Sequence, residues 1–492
     1  MQSKVLDLAQ KCDEMITVND PDLIKNQIIS CFEMIDGLLD NNEIGYIYYC
    51  IGNLYATLSN HEVQALNSFR LAKRYVSANR FEFYELVCQI ETNEANQLAQ
   101  MGRLIEAISI YYKFINHVKP SEAKIISLIH AVNNLCELWH IIDNKDIAQY
   151  YFVKAIIFKR LLLNIENSPH IDAYQKKLIS DFLMQHPLQE NEHVEDDICA
   201  LQDTGSKDLF RKSEQQYRTW CLENVLFLNH MNDLVFSYFD AKDTITFPSY
   251  ATKFSEGCKF MKPHFAIAFA NIKREFCFAR YLSYEGVGKK YPKFEEKDLK
   301  LASDHYNSDY SGKAERLKTS FKLAFGVLDK LVNLLISFLK LDKEKIAKTK
   351  NCRTIEFKPK FFEIHLNSFL QSNKYIKALY FVSCELNNDS MFNQDNIKKD
   401  VLLGEAKYYK NLRNNLEHNW VHVLEFILDD EQCCEQDYAD YIESEQLEND
   451  TIKVLKLVRS CIIYLVFAVQ LEENNRQSDG KSISLEIPIW GK

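Results

Sequence analysis

The sequence predicts an all-α protein. Only 13 glycines and 9 prolines occur in 492 residues, so few positions favour tight turns between short strands. Apolar residues recur at steps of three and four along most of the chain, which is the period of a helix with one buried face. The length suffices for two or three domains. We expect helical repeats in residues 1–165, an acidic linker in 166–214, a helical bundle in 215–472 and a tail in 473–492.

The N-terminal region, from Glu43 to Leu162, contains a repeat whose units align on their small residues. Ala65, Ala107 and Ala148 are spaced by 42 and 41 residues. In a helical solenoid, small residues let paired helices approach, and aromatic residues fill the space between successive pairs. These units resemble TPR repeats, although the usual TPR unit has about 34 residues. The resemblance implies a concave surface for a protein or peptide partner; simple packing on the C-terminal half is the alternative.

The linker and the bundle follow from composition and periodicity. Residues 189–208 hold seven acidic residues and one lysine, a composition typical of a solvated segment. Beyond it, apolar periodicity predicts six helices, over residues 217–238, 265–282, 314–341, 362–387, 400–428 and 451–471. The third of these carries the widest apolar face and is expected at the centre of the bundle. The tail could add a short strand at 482–490.

Charge and cysteine content limit the class of protein. A net charge of −10 argues against coating nucleic acid by bulk electrostatics, so any RNA site must be local. The 14 cysteines include no Cys-x-x-Cys pair, and most lie in apolar runs, as expected of free thiols in a reducing cytoplasm. The N-terminus lacks an apolar signal region, and the apolar run 461–469 is too short to span a bilayer. We expect a soluble cytoplasmic protein with no membrane partner.

A polar cluster lies on the predicted helix 400–428. Arg413, Asn414 and His418 lie within about one and a half turns of each other, and Asn414 and His418 share a face. The opposite, apolar face is predicted to be buried and consists of Leu402, Ala406, Tyr409, Leu412, Leu416, Trp420, Val423 and Ile427. A permanently charged guanidinium beside an imidazole suits a phosphodiester, because the arginine neutralises phosphate and the histidine moves a proton.

This cluster resembles the Arg-x4-6-His motif of HEPN domains, in which a polar residue follows the arginine. Residues 227–234 and 317–339 are also similar to a HEPN subfamily that is joined to N-terminal TPR-like repeats. The resemblance implies a metal-independent endoribonuclease that works as a homodimer. In that reading His418 is the general acid or base, Arg413 stabilises charge on the phosphoryl oxygens, and Asn414 orients the phosphate or the imidazole. Its similarity to toxin and phage-defence HEPN proteins implies that the repeats sense a trigger or restrain the nuclease.

Alternatives remain open at the level of the sequence. A third catalytic residue is expected to be an acid, and Glu405 and Asp329 are the candidates. Glu417 is also close in sequence, but closeness in sequence alone does not give it a role. His418, His422 and Glu425 offer a rival zinc site, but the metalloprotease pattern needs a glutamate directly after the first histidine, where Asn419 stands. We expect no metal and no cofactor. The alternative function is a non-catalytic scaffold that binds RNA, nucleotide or protein.

Overall fold

A computed structural model describes residues 3–38, 40–76, 83–115, 121–142, 145–186, 211–234, 241–250, 264–287, 308–349, 355–387, 405–425 and 439–476. Helices dominate these residues, together with one 3₁₀ helix and two short strands. The prediction of an all-α chain is therefore confirmed. The chain divides into two compact units, of which one contains the helices up to residue 185 and the other those from residue 212.

The described residues of the first unit form nine helices: α1 (Ser3–Val18), α2 (Pro21–Ile35), α3 (Asn41–Thr57), α4 (Glu62–Tyr75), α5 (Tyr84–Gln100), α6 (Leu104–Ile115), α7 (Glu122–Ile141), α8 (Lys145–Glu166) and α9 (Ala173–Gln185). Helix α2 begins where the Asp20 carboxylate accepts the backbone N–H groups of Asp22 and Leu23. Asp40 caps α3 in the same way. These caps satisfy donors that the first helical turn leaves open.

Helices α3 to α8 pack as successive pairs, and each pair contacts the next. Ala65, Ala107 and Ala148 are each the fourth residue of the second helix in a pair, and all are buried. Gly52 shows how closely the helices approach, since a Cβ at this position would lie 2.5 Å from Cε1 of Phe69. Small residues therefore lie at close helix contacts, as the repeat pattern predicts. The likeness to TPR repeats itself stays a prediction. Helix α9 lies within the segment predicted as a linker.

Besides the 3₁₀ helix, the part of the second unit that the structure describes forms nine α-helices and two strands: α10 (Lys212–Glu223), α11 (His264–Gly286), α12 (Gly312–Phe338), α13 (Lys343–Lys348), α14 (Pro359–His365), α15 (Asn367–Ser372), α16 (Lys374–Leu386), α17 (Glu405–His418), β1 (Trp420–Leu424), β2 (Ala439–Glu443) and α18 (Ser444–Asn475). Helix α12 contacts α11, α17 and α18, so it occupies the centre as predicted. Helix α18 is buried along most of its length.

The helix predicted at 217–238 is wrong beyond Glu223. The chain turns at Val225, whose φ is 53°, and continues as a 3₁₀ helix at His230–Asp233. Arg459 of α18 holds this segment: its guanidinium donates to the carbonyl oxygens of Phe227 at 2.5 Å and Asn229 at 2.6 Å. It also pairs with Asp233 at 2.7 Å. These are long-range contacts, so local periodicity could not indicate the break.

The helix predicted at 362–387 is wrong as a single element, because α14, α15 and α16 replace it. Asn373 is fully buried at the start of α16, where its side-chain oxygen accepts the backbone N–H groups of Tyr375 and Ile376. Its amide nitrogen donates to the carbonyl oxygen of Ala468 at 2.9 Å and to Glu472 at 2.8 Å. The break therefore fixes α16 against α18 through one satisfied polar side chain.

The helix predicted at 400–428 is wrong after His418. Helix α17 ends there, and β1 follows, paired in parallel with β2 in the register Trp420 to Ala439. The backbone N–H of Asp309 adds a bond to the carbonyl oxygen of Val423 at 2.7 Å. Trp420 was expected on a buried helical face, and it is instead 75% exposed at the start of a strand.

Two smaller expectations concern the membrane and the cysteines. Within the described ranges, no helix is both long and apolar enough to cross a bilayer. The cysteines in these ranges are free thiols, and most of them are buried. The acidic segment 189–208 and the tail 482–490 lie outside the described residues.

Candidate functional site

The polar cluster lies at the C-terminal end of α17. The apolar side of this helix packs against α12 and α16. Tyr409 and Leu412 are both buried, and the ring of Tyr409 lies 6.4 Å from that of Phe321 on α12. This packing fixes the helix, while its last turn, with Glu417 and His418, stays exposed. The cluster is therefore a surface site on a rigid support.

Glu417 links the two residues of the motif. The Arg413 guanidinium donates through Nη1 to Oδ1 of Asn414 at 3.1 Å. Its Nη2 lies 3.1 Å from Oε2 of Glu417, four residues on. The same Oε2 lies 3.8 Å from Nε2 of His418, which is an ion-pair distance when the imidazole is protonated. One carboxylate thus lies between the guanidinium and the imidazole.

The exposure of these groups determines how firmly they are held. The side chains of Arg413 and Glu417 are 33% and 29% exposed, and that of His418 is 73% exposed. An ion pair of this exposure stabilises a helix by only about 0.5 kcal/mol, because water screens it. A phosphate can therefore compete with Glu417 for the guanidinium at little cost.

Asp329 lies on α12, where the charge of Arg413 acts on its carboxyl. Its Oδ1 accepts the backbone N–H of Phe357 at 2.8 Å. Burial raises the pKa of this carboxyl above its usual value, and the Phe357 bond and the nearby charge of Arg413 lower it only in part. The structure therefore brings Asp329 within electrostatic range of Arg413. One of its oxygens is already engaged in holding the chain before α14.

Glu405 is not brought to the cluster within one chain. It is the first residue of α17, and His418 is the last. An α-helix rises 1.5 Å per residue, so the two residues lie about 20 Å apart along the axis. The side chain of Glu405 lies outside the described part of the structure. Of the two candidate acids, Asp329 alone is near the motif.

The rival zinc site is not formed in the described residues. His422 lies in β1 rather than one helical turn after His418, and its ring stacks on that of Tyr441 at 5.5 Å. Within the described ranges, no group of three or more histidines, cysteines and acids could hold a metal ion. The arrangement around His418 offers proton transfer and charge stabilisation by side chains.

One known family of domains matches the part of the chain that contains this site. Residues 257–472 match the family model of the LA2681-like HEPN domain. The C-terminal part of the chain contains a HEPN domain. The match includes Asp329, Arg413 and His418, and it ends near the end of α18. No curated protein and no solved structure matches the chain.

Sequence reasoning noted Glu417 as close to the catalytic pair without giving it a role, and it assigned Trp420 to the wrong element. Glu417 stands four residues after Arg413, which is the spacing of a helical ion pair, so the signal was present. Trp420 was assigned to the buried face because it fits the helical period. The alternation of Trp420, Val421, His422 and Val423, with β-branched residues at every second position, also fits a strand.

Proposed function

We propose that this protein is a metal-independent endoribonuclease of the HEPN type. The observation that carries the proposal is the common position of Arg413 and His418. Both lie within ion-pair distance of the Glu417 carboxylate at the exposed end of α17, inside the segment that matches the HEPN family. A guanidinium and an imidazole at this distance can engage one phosphodiester together.

The proposed reaction is an internal transesterification. His418 removes the proton from a ribose 2′-hydroxyl, which attacks the adjacent phosphorus, and the bond to the 5′-oxygen of the next nucleotide breaks. The leaving oxygen takes a proton from solvent, to which His418 releases the proton that it removed, and the products carry a 2′,3′-cyclic phosphate and a 5′-hydroxyl. Arg413 stabilises the charge that develops on the phosphoryl oxygens. Asn414, which accepts a hydrogen bond from Arg413, keeps the guanidinium oriented.

The exposure of the site supports a homodimer. His418 is 73% exposed in the single chain, whereas a catalytic histidine works best where water is excluded. A second copy that brings its own motif to the same cleft would enclose both sites. The helical repeats of the first unit would then sense a trigger or restrain the nuclease through a protein or peptide partner, as in a toxin or a phage-defence effector that acts on cytoplasmic RNA.

The test is cleavage of tRNA and mixed single-stranded RNA by the purified full-length protein in EDTA. We expect fragments with 2′,3′-cyclic phosphate and 5′-hydroxyl ends. A 2′-deoxy substitution at the nucleotide before the cleaved bond should block that cut, because it removes the nucleophile. Fragments with 5′-phosphate ends, or cleavage that requires added magnesium, would contradict the proposal. RNA binding without cleavage would favour the non-catalytic scaffold.

Replacing Glu417 with glutamine is expected to tighten RNA binding. The Glu417 carboxylate offsets the charge of Arg413 at 3.1 Å, and glutamine removes that charge while keeping the size of the side chain. We expect the Kd for single-stranded RNA at low salt to fall roughly two- to five-fold, the range that corresponds to an exposed ion pair. The measurement is a fluorescence anisotropy titration, and the gain should shrink as salt rises.

The matched control for this prediction is Glu425→Gln, which removes an exposed acid just after β1. An equal gain in both variants would mean that general repulsion, rather than competition for Arg413, weakens RNA binding. Unchanged or weaker binding by Glu417→Gln alone would show that the carboxylate does not compete with phosphate.

A further inference from the structure

Trp420 differs from the other tryptophans that the structure describes. Trp139 packs on Phe152 with ring centroids 4.8 Å apart, and Trp220 packs on Tyr284 at 5.6 Å. The indole of Trp420 makes no ring contact and no hydrogen bond with any described residue, and 75% of the residue is exposed. Tryptophan is highly buried on average. The exposure of this indole therefore indicates that a ligand or a partner covers it when the protein acts.

The position of Trp420 relates it to the candidate catalytic pair. His418 ends α17, Asn419 forms the turn, and Trp420 begins β1. The turn is held by the backbone N–H of Asn419, which donates to the carbonyl oxygen of Asn415 at 2.8 Å. Two residues of chain span at most about 7 Å. A nucleotide whose phosphate meets Arg413 and His418 can therefore place its base, or the neighbouring base, against the indole.

The described rings of β1 and β2 leave the indole of Trp420 uncovered. Side chains alternate between the two faces of a strand, so Trp420 and His422 share a face of β1. The ring of His422 is covered by Tyr441, at 5.5 Å and 23° between planes. Trp420 is thus the ring of β1 that can accept a planar partner on its exposed surface.

The charge of the chain indicates which interaction with the planar partner supplies affinity. The chain carries a net charge of −10, and at this site Arg413 can neutralise one phosphate only after Glu417 yields. Backbone electrostatics therefore supply little affinity for RNA here. Stacking of a base on an aromatic ring supplies affinity that does not depend on net charge.

We propose that Trp420 is a substrate-binding residue on which a base of single-stranded RNA stacks beside the site of cleavage. This proposal rests on the ribonuclease function proposed above and adds the residue that selects unpaired RNA. A base inside a duplex has both faces covered by its neighbours, so only an unstacked base can meet the indole. Trp420 thereby favours loops, ends and single strands as substrates.

The experiment compares binding of a base-containing RNA and an abasic RNA. All proteins carry His418→Ala so that the RNA stays intact, and the probes are a short labelled oligoribonucleotide and an abasic oligomer of equal length. Trp420→Ala should raise the Kd for the base-containing probe roughly 5- to 150-fold. Trp420→Phe should retain most of the affinity. For the abasic probe, the protein with Trp420 and the Trp420→Ala variant should have the same Kd.

Tyr174→Ala is the control, because Tyr174 is a 63% exposed aromatic residue in the first unit, and its loss should leave both Kd values unchanged. An equal loss of binding for both probes after Trp420→Ala would overturn the proposal. So would RNA binding that falls only in proportion to a lost dimer in sedimentation velocity, since the ring would then cover an interface between copies.

The outcomes also separate this proposal from the proposed function. Cleavage by the wild-type chain, with binding and cleavage unchanged by Trp420→Ala, would overturn the role of Trp420 and leave the ribonuclease intact. A wild-type chain that neither binds nor cleaves RNA would overturn both.

Discussion

The His418→Ala variant is expected to lose RNA cleavage in EDTA by roughly 100- to 10,000-fold, the contribution of a general acid or base. Arg413→Ala should lose roughly 100- to 1,000-fold, because it removes the group that stabilises charge on the phosphoryl oxygens. The measurement is single-turnover cleavage of a defined RNA. The double variant should be little worse than the single variants, since residues that act together in one step do not contribute additively.

Folding should be unaffected by these changes. His418 is 73% exposed and Arg413 makes one helical ion pair at the surface, so each substitution should change the free energy of unfolding by about 0.5 kcal/mol or less. His170→Ala and Arg74→Ala are the matched controls, because both residues are exposed in the first unit. A loss of cleavage that follows a loss of folded protein would instead assign the pair a structural role. Equal cleavage by all variants would mean that the site lies elsewhere.

Arg413→Lys separates charge from shape. Lysine keeps the positive charge but loses the planar fork that binds two phosphate oxygens at once. We therefore expect RNA binding close to that of the wild type, with cleavage still well below it. Full cleavage by the lysine variant would show that a point charge suffices at this position.

The helices that the sequence predicts well are those whose signal is local. Helix α12 was expected over 314–341 and runs from Gly312 to Phe338, because its apolar stripe is continuous and its partners cover one side. The end of α17 was missed for the opposite reason. Trp420 and Val423 fit a helical stripe and a strand equally, and the strand forms because β2 and the backbone of Asp309 are available to pair with it.

In the candidate site, too, the local relations could be predicted from the sequence and the long-range ones could not. The relation of Arg413, Glu417 and His418 follows from helical spacing, so it could be predicted from the sequence. The approach of Asp329 to Arg413 depends on how α12 packs against α17, which spacing does not determine. Glu405 could have been set aside from the sequence alone, since the helical rise places it about 20 Å from His418.

The largest loss of stability is expected from Arg280→Ala. Arg280 of α11 is 3% exposed and binds both oxygens of Asp243, at 2.7 and 2.8 Å. It also donates to the hydroxyl of Tyr217 and the carbonyl oxygen of Leu226, each at 2.9 Å. Removing one partner of a buried pair costs about 3–5 kcal/mol, and we expect a loss of about 3 kcal/mol here, because the Asp243 side chain that remains is 25% exposed and partly solvated. Urea unfolding followed by circular dichroism measures this loss.

An exposed ion pair between α11 and α12 provides the control. Lys330 of α12 pairs with Glu275 of α11, and their side chains are 50% and 36% exposed. Lys330→Ala should therefore cost less than about 1 kcal/mol. If both variants lost the same stability, burial would not distinguish the two pairs, and the role given to Arg280 would be wrong.

Lowering the pH should weaken the pair of Arg280 and Asp243, because it protonates the Asp243 carboxylate. Burial raises the pKa of this carboxyl, but the Arg280 guanidinium and the backbone N–H of Leu228 outweigh it, so the pKa is lowered below its usual value. A carboxyl with a lowered pKa in the folded state adds stability that is complete above its unfolded pKa of about 3.9 and is lost as pH falls further. Asp243→Asn lacks this contribution at every pH. The gap in unfolding free energy between the wild type and Asp243→Asn should therefore be largest near neutrality and should narrow below about pH 4.

A gap in unfolding free energy that stayed constant down to strong acid would mean that the Asp243 charge contributes nothing to the fold. Cleavage by Asp243→Asn below its unfolding temperature should match the wild type, because the pair holds the bundle and does not touch the motif on α17.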